Sequence, residues 1–136
     1  MAADRLAANA HGDFALTKVR IIRDRLVGYA GPADGLGAFL VWLAAGAVVG
    51  DYPKRDDADG MYALVVEPDG TAWRYERTPF PILVEGTFAA IGSGAPFASA
   101  ALYLGKTAPE AVEVAIALDS YCGRGIDTLT LAGGSS

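Results

Sequence analysis

A single cysteine and a single histidine in 136 residues leave this chain little sulfur or imidazole chemistry. Cys122 has no partner for an internal disulfide, which fits a reducing compartment and sets a cytoplasmic location as the expectation. Cys122 and His11 together fall short of the ligand set a zinc site needs, so no metal or other cofactor is expected, and His11 sits in a polar loop without a role. Positive charge is also scarce. Eleven Lys and Arg stand against sixteen Asp and Glu, a net charge of -5, which argues against a nucleic-acid partner. Arg20, Arg23 and Arg25 alone cluster, and they are expected on the solvent side of strands. The longest uncharged run lies between Asp34 and Asp51, below the roughly 18 residues of a membrane span, and reads as a core helix. The N-terminus does not read as a signal peptide, because Asp4 and Arg5 precede any apolar stretch. Nucleotide loops are missing too. Gly92-Ser93-Gly94 and Gly35-Leu36-Gly37 lack the third glycine of a dinucleotide fingerprint, and Gly105-Lys106-Thr107 has Ala100 where a P-loop needs glycine.

What is present is a globular composition, 52% hydrophobic and 20% charged, in a length suited to one domain. We expect that domain over residues 1–131, with 132–136 as a flexible tail. Residues 1–4 read as the end of a strand, and 5–13 as a loop or ragged hairpin. Lys18 to Ile22 alternates as a half-buried strand with Val19 and Ile21 inward; Arg23-Asp24 turns it into a second strand over 26–30 that stops at Gly31-Pro32. From Asp34 the period becomes helical, with Leu36, Phe39, Leu40, Leu43 and Ala47 on one face. A polar loop over 51–60 precedes a hairpin, 62–66 and 71–75, turned by Pro68-Asp69-Gly70. Residues 80–85 read as a further strand. Thr107 and Glu110 form a capping box ahead of a helix burying Ala111, Val114, Ala115 and Leu118, and 126–131 read as the last strand. Strands and helices do not alternate as in a doubly wound sheet, so the class is α+β with antiparallel sheets.

Residues 88–104, FAAIGSGAPFASAALYL, organise the rest. The apolar run 88–91 predicts a buried strand, Gly92-Ser93-Gly94 a tight turn, and Pro96 a first helical turn. Phe97, Ala100, Ala101 and Leu104 then recur at the spacing of one buried helical face. Asp4, Lys18, Ser93, Asp119 and Cys122 all fall at the ends of such elements, where scaffolds hold functional groups. A carboxylate beside a lysine fixes its position and charge, and such a lysine lowers the pKa of a neighbouring nucleophile or amine. Each also has a plain structural reading: a surface ion pair for Asp4 and Lys18, a helix N-cap for Ser93, a solvated last turn for Asp119, and a small buried hydrophobe for Cys122.

The segments MAADRL, LTKVRII, RLVGYAG, AIGSGAPFASAAL and EAVEVAIALDSYCGRG together resemble the proteasome β-subunit and HslV group of N-terminal-nucleophile hydrolases, above all its small bacterial and phage members. The resemblance runs in order over nearly the whole chain. It implies a four-layer αββα sandwich, assembly into homo-oligomers, and hydrolysis of peptide bonds by an N-terminal threonine, with a peptide or protein as substrate. By resemblance Asp4 orients the active-site lysine, Lys18 is that lysine, Gly31 contributes a backbone N–H to the oxyanion hole, and Ser93 hydrogen-bonds near the terminal amine. Asp119 matches the aspartate of D-x-x-S-G, with Cys122 in the place of its serine, a weak donor where a hydroxyl would stand.

In the family the nucleophile begins a strand that hairpins into the one ending at Asp4. Only three residues precede Asp4 here, against roughly 5 to 6 in a typical strand, so the first strand and its threonine are expected to lie outside this sequence. A start created at Thr17 would remove Asp4 and is discounted. Two expectations follow: a threonine hydrolase subunit whose attacking group lies upstream, leaving the chain as given inactive, or a non-catalytic assembly or binding protein on the same fold.

Overall fold

The computed structural model describes residues 1–9, 12–54, 61–123 and 126–128. Three short strands open the chain, β1 (Ala2–Asp4), β2 (Leu6–Asn9) and β3 (Gly12–Ala15), of which β2 and β3 form an antiparallel hairpin. The ragged hairpin expected over 5–13 is thus present, although His11 lies outside the described residues. β4 (Val19–Ile22) and β5 (Arg25–Ala30) follow, joined by Arg23 and Asp24 at φ 47° and 67°. Two successive left-handed residues make the tight turn that matches strand twist. Val19 is buried as expected, whereas Ile21 is half exposed on this sheet-edge strand.

Helix α1 (Ala33–Ala44) packs over one face of the sheet made by β4, β5, β6 (Tyr62–Val66), β7 (Ala72–Tyr75) and β8 (Ile82–Leu83), in that order. The core comprises Val27 and Tyr29 from β5, Phe39, Trp42 and Leu43 from α1, and Val65 from β6, extended by Tyr52 and Tyr75. Trp42 was not on the expected apolar face. It is buried because its indole N–H donates to the Val48 carbonyl at 2.7 Å, and its ring stands edge-on to Tyr52 with centroids 4.7 Å apart. Ala47 lies beyond the helix, at φ 57°, and packs at the core's edge. The 62–75 hairpin forms as expected, but only Gly70 takes a positive φ. Asp69 instead accepts the Thr71 N–H at 2.9 Å. The strand expected over 80–85 shrinks to two residues, preceded by Pro79 and Pro81, which carry no N–H for a ladder.

Helices α2 (Ala95–Tyr103) and α3 (Ala108–Leu118) pack on each other, and α3 also lies on β1 and on β9 (Ile126–Thr128). The Thr107–Glu110 capping box is formed in both directions. β1 and β9 pair antiparallel, with Asp4 opposite Ile126. Of the final strand expected over 126–131, residues 129–131 lie outside the described residues, as do the tail and residues 55–60 of the polar loop.

Strand alternation gives the five-stranded sheet a second apolar face. Leu26, Gly28 and Ala30 of β5 stand in register with Val66, Leu64 and Tyr62 of β6, turned away from α1. The layers therefore run α1, five-stranded sheet, the β1–β9 pair, then α2 with α3: the αββα arrangement. Two expectations fail here. α3 buries Ala111 and Ala115 but leaves Leu118, on its last turn, exposed and Val114 half-buried. Residues 88–91 form no strand, and only Ala101 of the expected α2 face is buried, with Leu104 exposed. Residues 88–91 border a cavity of about 1200 Å³ between the sheet's second face and the helices. An apolar segment without a ladder neighbour has no strand to join.

Candidate functional site

β1 delivers Asp4 to its C-terminal end, where the carboxylate is buried and its bonding capacity is used. The Lys18 ammonium donates to Oδ1 at 2.8 Å; the Gly123 and Leu6 N–H groups donate to Oδ2 at 2.8 and 3.2 Å. Lys18 immediately precedes β4 and is held by its own backbone, since its carbonyl accepts the Tyr29 N–H. The Arg5 N–H donates to the Gly123 carbonyl, so the loop after α3 is fastened to the end of β1 in both directions.

That loop carries the second half of the site. Asp119 follows α3 and is buried; its carboxylate accepts from the Tyr121 N–H at 2.9 Å, from Ser93 and from the Cys122 thiol at 3.6 Å. These donors, the backbone bond foremost, hold the Asp119 carboxyl below the usual carboxylate range. The Cys122 thiol moves the other way. Burial first, then the charges of Asp4 and Asp119, push it up to about 11, with Lys18 partly opposing. All three charged groups are therefore near enough to act on one sulfur atom, which joins the two halves into one cluster.

Ser93 does not cap α2. Gly94 occupies the N-cap with no side-chain bond, and Ser93 turns to Asp119. Gly94 is glycine for a spatial reason: a Cβ there would lie 2.9 Å from the Cys122 Sγ and 3.0 Å from the Ala115 Cβ. Gly31, at φ 140°, ends β5 and leads into α1, on the same cavity that Lys18, Ser93 and Cys122 line. The structure thus brings together Asp4, Lys18, Ser93, Asp119 and Cys122, with Gly31 on the shared wall. Sequence reasoning missed the parts played by Gly94, Tyr121 and Gly123. The spacing Gly92-Ser93-Gly94 hinted at the first, while backbone donors carry no side-chain signature. Among the described residues no group of three or more His, Cys, Asp or Glu is placed to hold a metal, and no helix is long and apolar enough to cross a membrane.

A buried carboxylate–ammonium pair, a second carboxylate and a hydroxyl are gathered where two layers of the αββα sandwich meet. Thiobacillus denitrificans BPH, solved in complex with epoxomicin, superposes with a TM-score of 0.67 over 93% of this chain and 88% of its own, at 19% identity. That likeness establishes the fold. In sequence the chain is 42% identical over 77 residues to proteasome subunit beta 1 of Hyperthermus butylicus, a match spanning 48% of this chain and 38% of that relative. No family model matches. The chain is thus similar in part of its sequence to a proteasome β subunit and shares the fold of the solved neighbour.

Proposed function

We propose that this chain is a threonine-type peptidase or amide hydrolase subunit in which residues 1–136 supply the groups that support a terminal threonine, and that it works as a homo-oligomer in the cytoplasm on peptide or protein substrates. The observation that carries the reading is the Lys18–Asp4 pair at 2.8 Å, fastened through Gly123 to the loop holding Asp119 and Cys122. In this mechanism the threonine Oγ attacks the substrate carbonyl while the threonine's own amine takes the hydroxyl proton. The Lys18 ammonium, held in place by Asp4, favours the unprotonated amine, and Asp119 and Ser93 fix its place. The Gly31 N–H stabilises the carbonyl oxygen as it becomes anionic; such donors are worth about 3 kcal/mol. The amine then returns the proton to the leaving nitrogen, and water releases the acyl group.

A second reading, a non-catalytic assembly protein on the same fold, draws on Cys122, whose thiol is a poor donor where a hydroxyl would serve better. The test is N-terminal sequencing and intact mass of the protein from its native source, followed by peptide turnover. Lys18→Ala should abolish hydrolysis in a protein that begins with threonine. A native start at Met1 or Ala2, or turnover unchanged by Lys18→Ala, would sink the hydrolase reading.

A further inference from the structure

Two methionines and one cysteine supply all the sulfur of the chain. Met61 is 6% exposed, inside the core under α1, and its sulfur accepts the Tyr52 hydroxyl at 3.6 Å. Cys122, its thiol pushed up to about 11, holds almost no thiolate at neutral pH, and the thiolate is the form that oxidants attack. Met1 is placed otherwise. It immediately precedes β1, is half-buried, and lines the cavity of about 1200 Å³.

The Met1 side chain reaches from the β1 layer to the large sheet and lies against Gly28. A Cβ on Gly28 would stand 2.9 Å from the Met1 Sδ, 3.5 Å from its Cε and 3.8 Å from its Cγ. Gly28 is in the middle of β5, opposite Val19 on one side and Leu64 on the other, and its φ is not among the positive ones that call for glycine. A glycine inside a strand weakens it and marks the close approach of another group. Here that group is the thioether, so Met1 and Gly28 form a clasp between two layers, three residues from Asp4.

We propose that Met1 is an oxidative modification site, at which a peroxide converts the thioether to the sulfoxide and so releases the clasp on Gly28. With hydrogen peroxide the sulfur lone pair attacks one oxygen and an S–O bond forms as the O–O bond breaks. The departing hydroxide takes the proton of the transferred oxygen and leaves as water. The sulfoxide does not fit where the thioether did. The slot is already at contact distance, and Leu26, Leu64 and Val66 beside it carry no side-chain donor for the new oxygen, which costs free energy when buried unpaired. Methionine sulfoxide reductase restores the thioether, which makes the change reversible. The inference goes beyond the proposed function, since it concerns how β1 is held and needs no turnover.

The test is to treat the full chain, Met1 retained, with hydrogen peroxide and to map added oxygen by peptide mass while following the amide signals of Ala3 and Gly28 and the melting temperature. Met1 should be oxidised about tenfold faster than Met61 or more, as access dictates. The two amide signals should shift and the melting temperature should fall by a few degrees, both reversed by methionine sulfoxide reductase. Met61→Leu should leave this response intact. Gly28→Ala, which fills the slot, should shift the Ala3 signal without peroxide, and peroxide should then add little. Trimming Met1 with an aminopeptidase should abolish the response, a control that needs no substitution. Equal oxidation of the two methionines, an oxidised Met1 with unchanged amide signals and melting temperature, or a response that survives the removal of Met1 would each overturn the proposal.

Discussion

Lys18 Nζ and Asp4 Oδ1 lie 2.8 Å apart, and the other oxygen of that carboxylate accepts the Gly123 N–H at the same distance. One side chain therefore joins the start of the chain, the entry to β4 and the loop after α3. Asp4→Ala should leave a largely buried ammonium and two N–H groups without an acceptor. We expect a loss of about 2 kcal/mol in urea unfolding, below the full cost of breaking a dry pair because the Lys18 side chain keeps 16% exposure. Lys18→Met, which removes the charge and retains the stem, should cost less; the reverse order would contradict this view of the pair.

Cys122 should be a slow thiol. With its pKa pushed up to about 11, it stays protonated at pH 8 and should react with a chromogenic disulfide reagent far more slowly than a free thiol. The fold holds that proton more tightly than the unfolded chain does. Stability from this source is therefore complete below the unfolded value near 9 and lost as pH rises toward 11. Subtracting the pH profile of Cys122→Ala from that of the unmodified protein isolates the effect from Tyr52 and Tyr75, which titrate above their usual range as well.

Asp119 has the opposite sign. Its depressed pKa adds stability above the unfolded value of 3.8, lost as pH falls through the lower folded value. Asp119→Asn should flatten the acid limb of the unfolding midpoint below pH 4, and an unchanged limb would show that the bonds from Tyr121, Ser93 and Cys122 do not favour the carboxylate.

Gly94→Ala should destabilise the protein by about 1 to 3 kcal/mol, because the new methyl meets Cys122 Sγ and Ala115 Cβ inside normal contact distance. Cys122→Ala in the same chain removes one of the two clashes. Part of the loss should then return, a coupling that a double-mutant cycle reads directly.

At the centre of the other layer, Phe39 is fully buried between Trp42 and Tyr75, with ring centroids 5.8 and 5.4 Å away. Phe39→Ala should cost about 3 to 5 kcal/mol. Since α1 lies across the sheet from the cavity, the Cys122 reactivity of the folded fraction should not change.

The sequence made the hairpins, the capping box and three of the helices' boundaries readable because each rests on local chemistry: a turn that needs positive φ, or an N-cap with its glutamate. The αββα class came from resemblance, since period and composition led only to α+β. What stayed hidden depended on distant neighbours. Trp42 joins the core through a carbonyl six residues on, and Ser93 turns from capping to Asp119 because α3 brings that carboxylate over it. Residues 88–91 have strand composition but no ladder neighbour, and composition cannot report on a neighbour. The ion pair of Asp4 with Lys18 was expected from the resemblance; the backbone donors of Gly123 and Tyr121 had no residue-type signal to give.

The turn at Arg23 and Asp24 contains no group that takes part in the site, yet it meters the site's dimensions. Lys18 and Gly31 lie at the open end of the hairpin that this turn closes, and the pairing of Val19 with Gly28 fixes how far one stands from the other. Slipping that pairing by one residue would carry Gly31 about 3.3 Å along the strand and swing Tyr29 from the core into the cavity. The spacing of the catalytic candidates is thus held by two left-handed residues at the far end of the hairpin, acting as a ruler whose zero mark is remote from everything it measures.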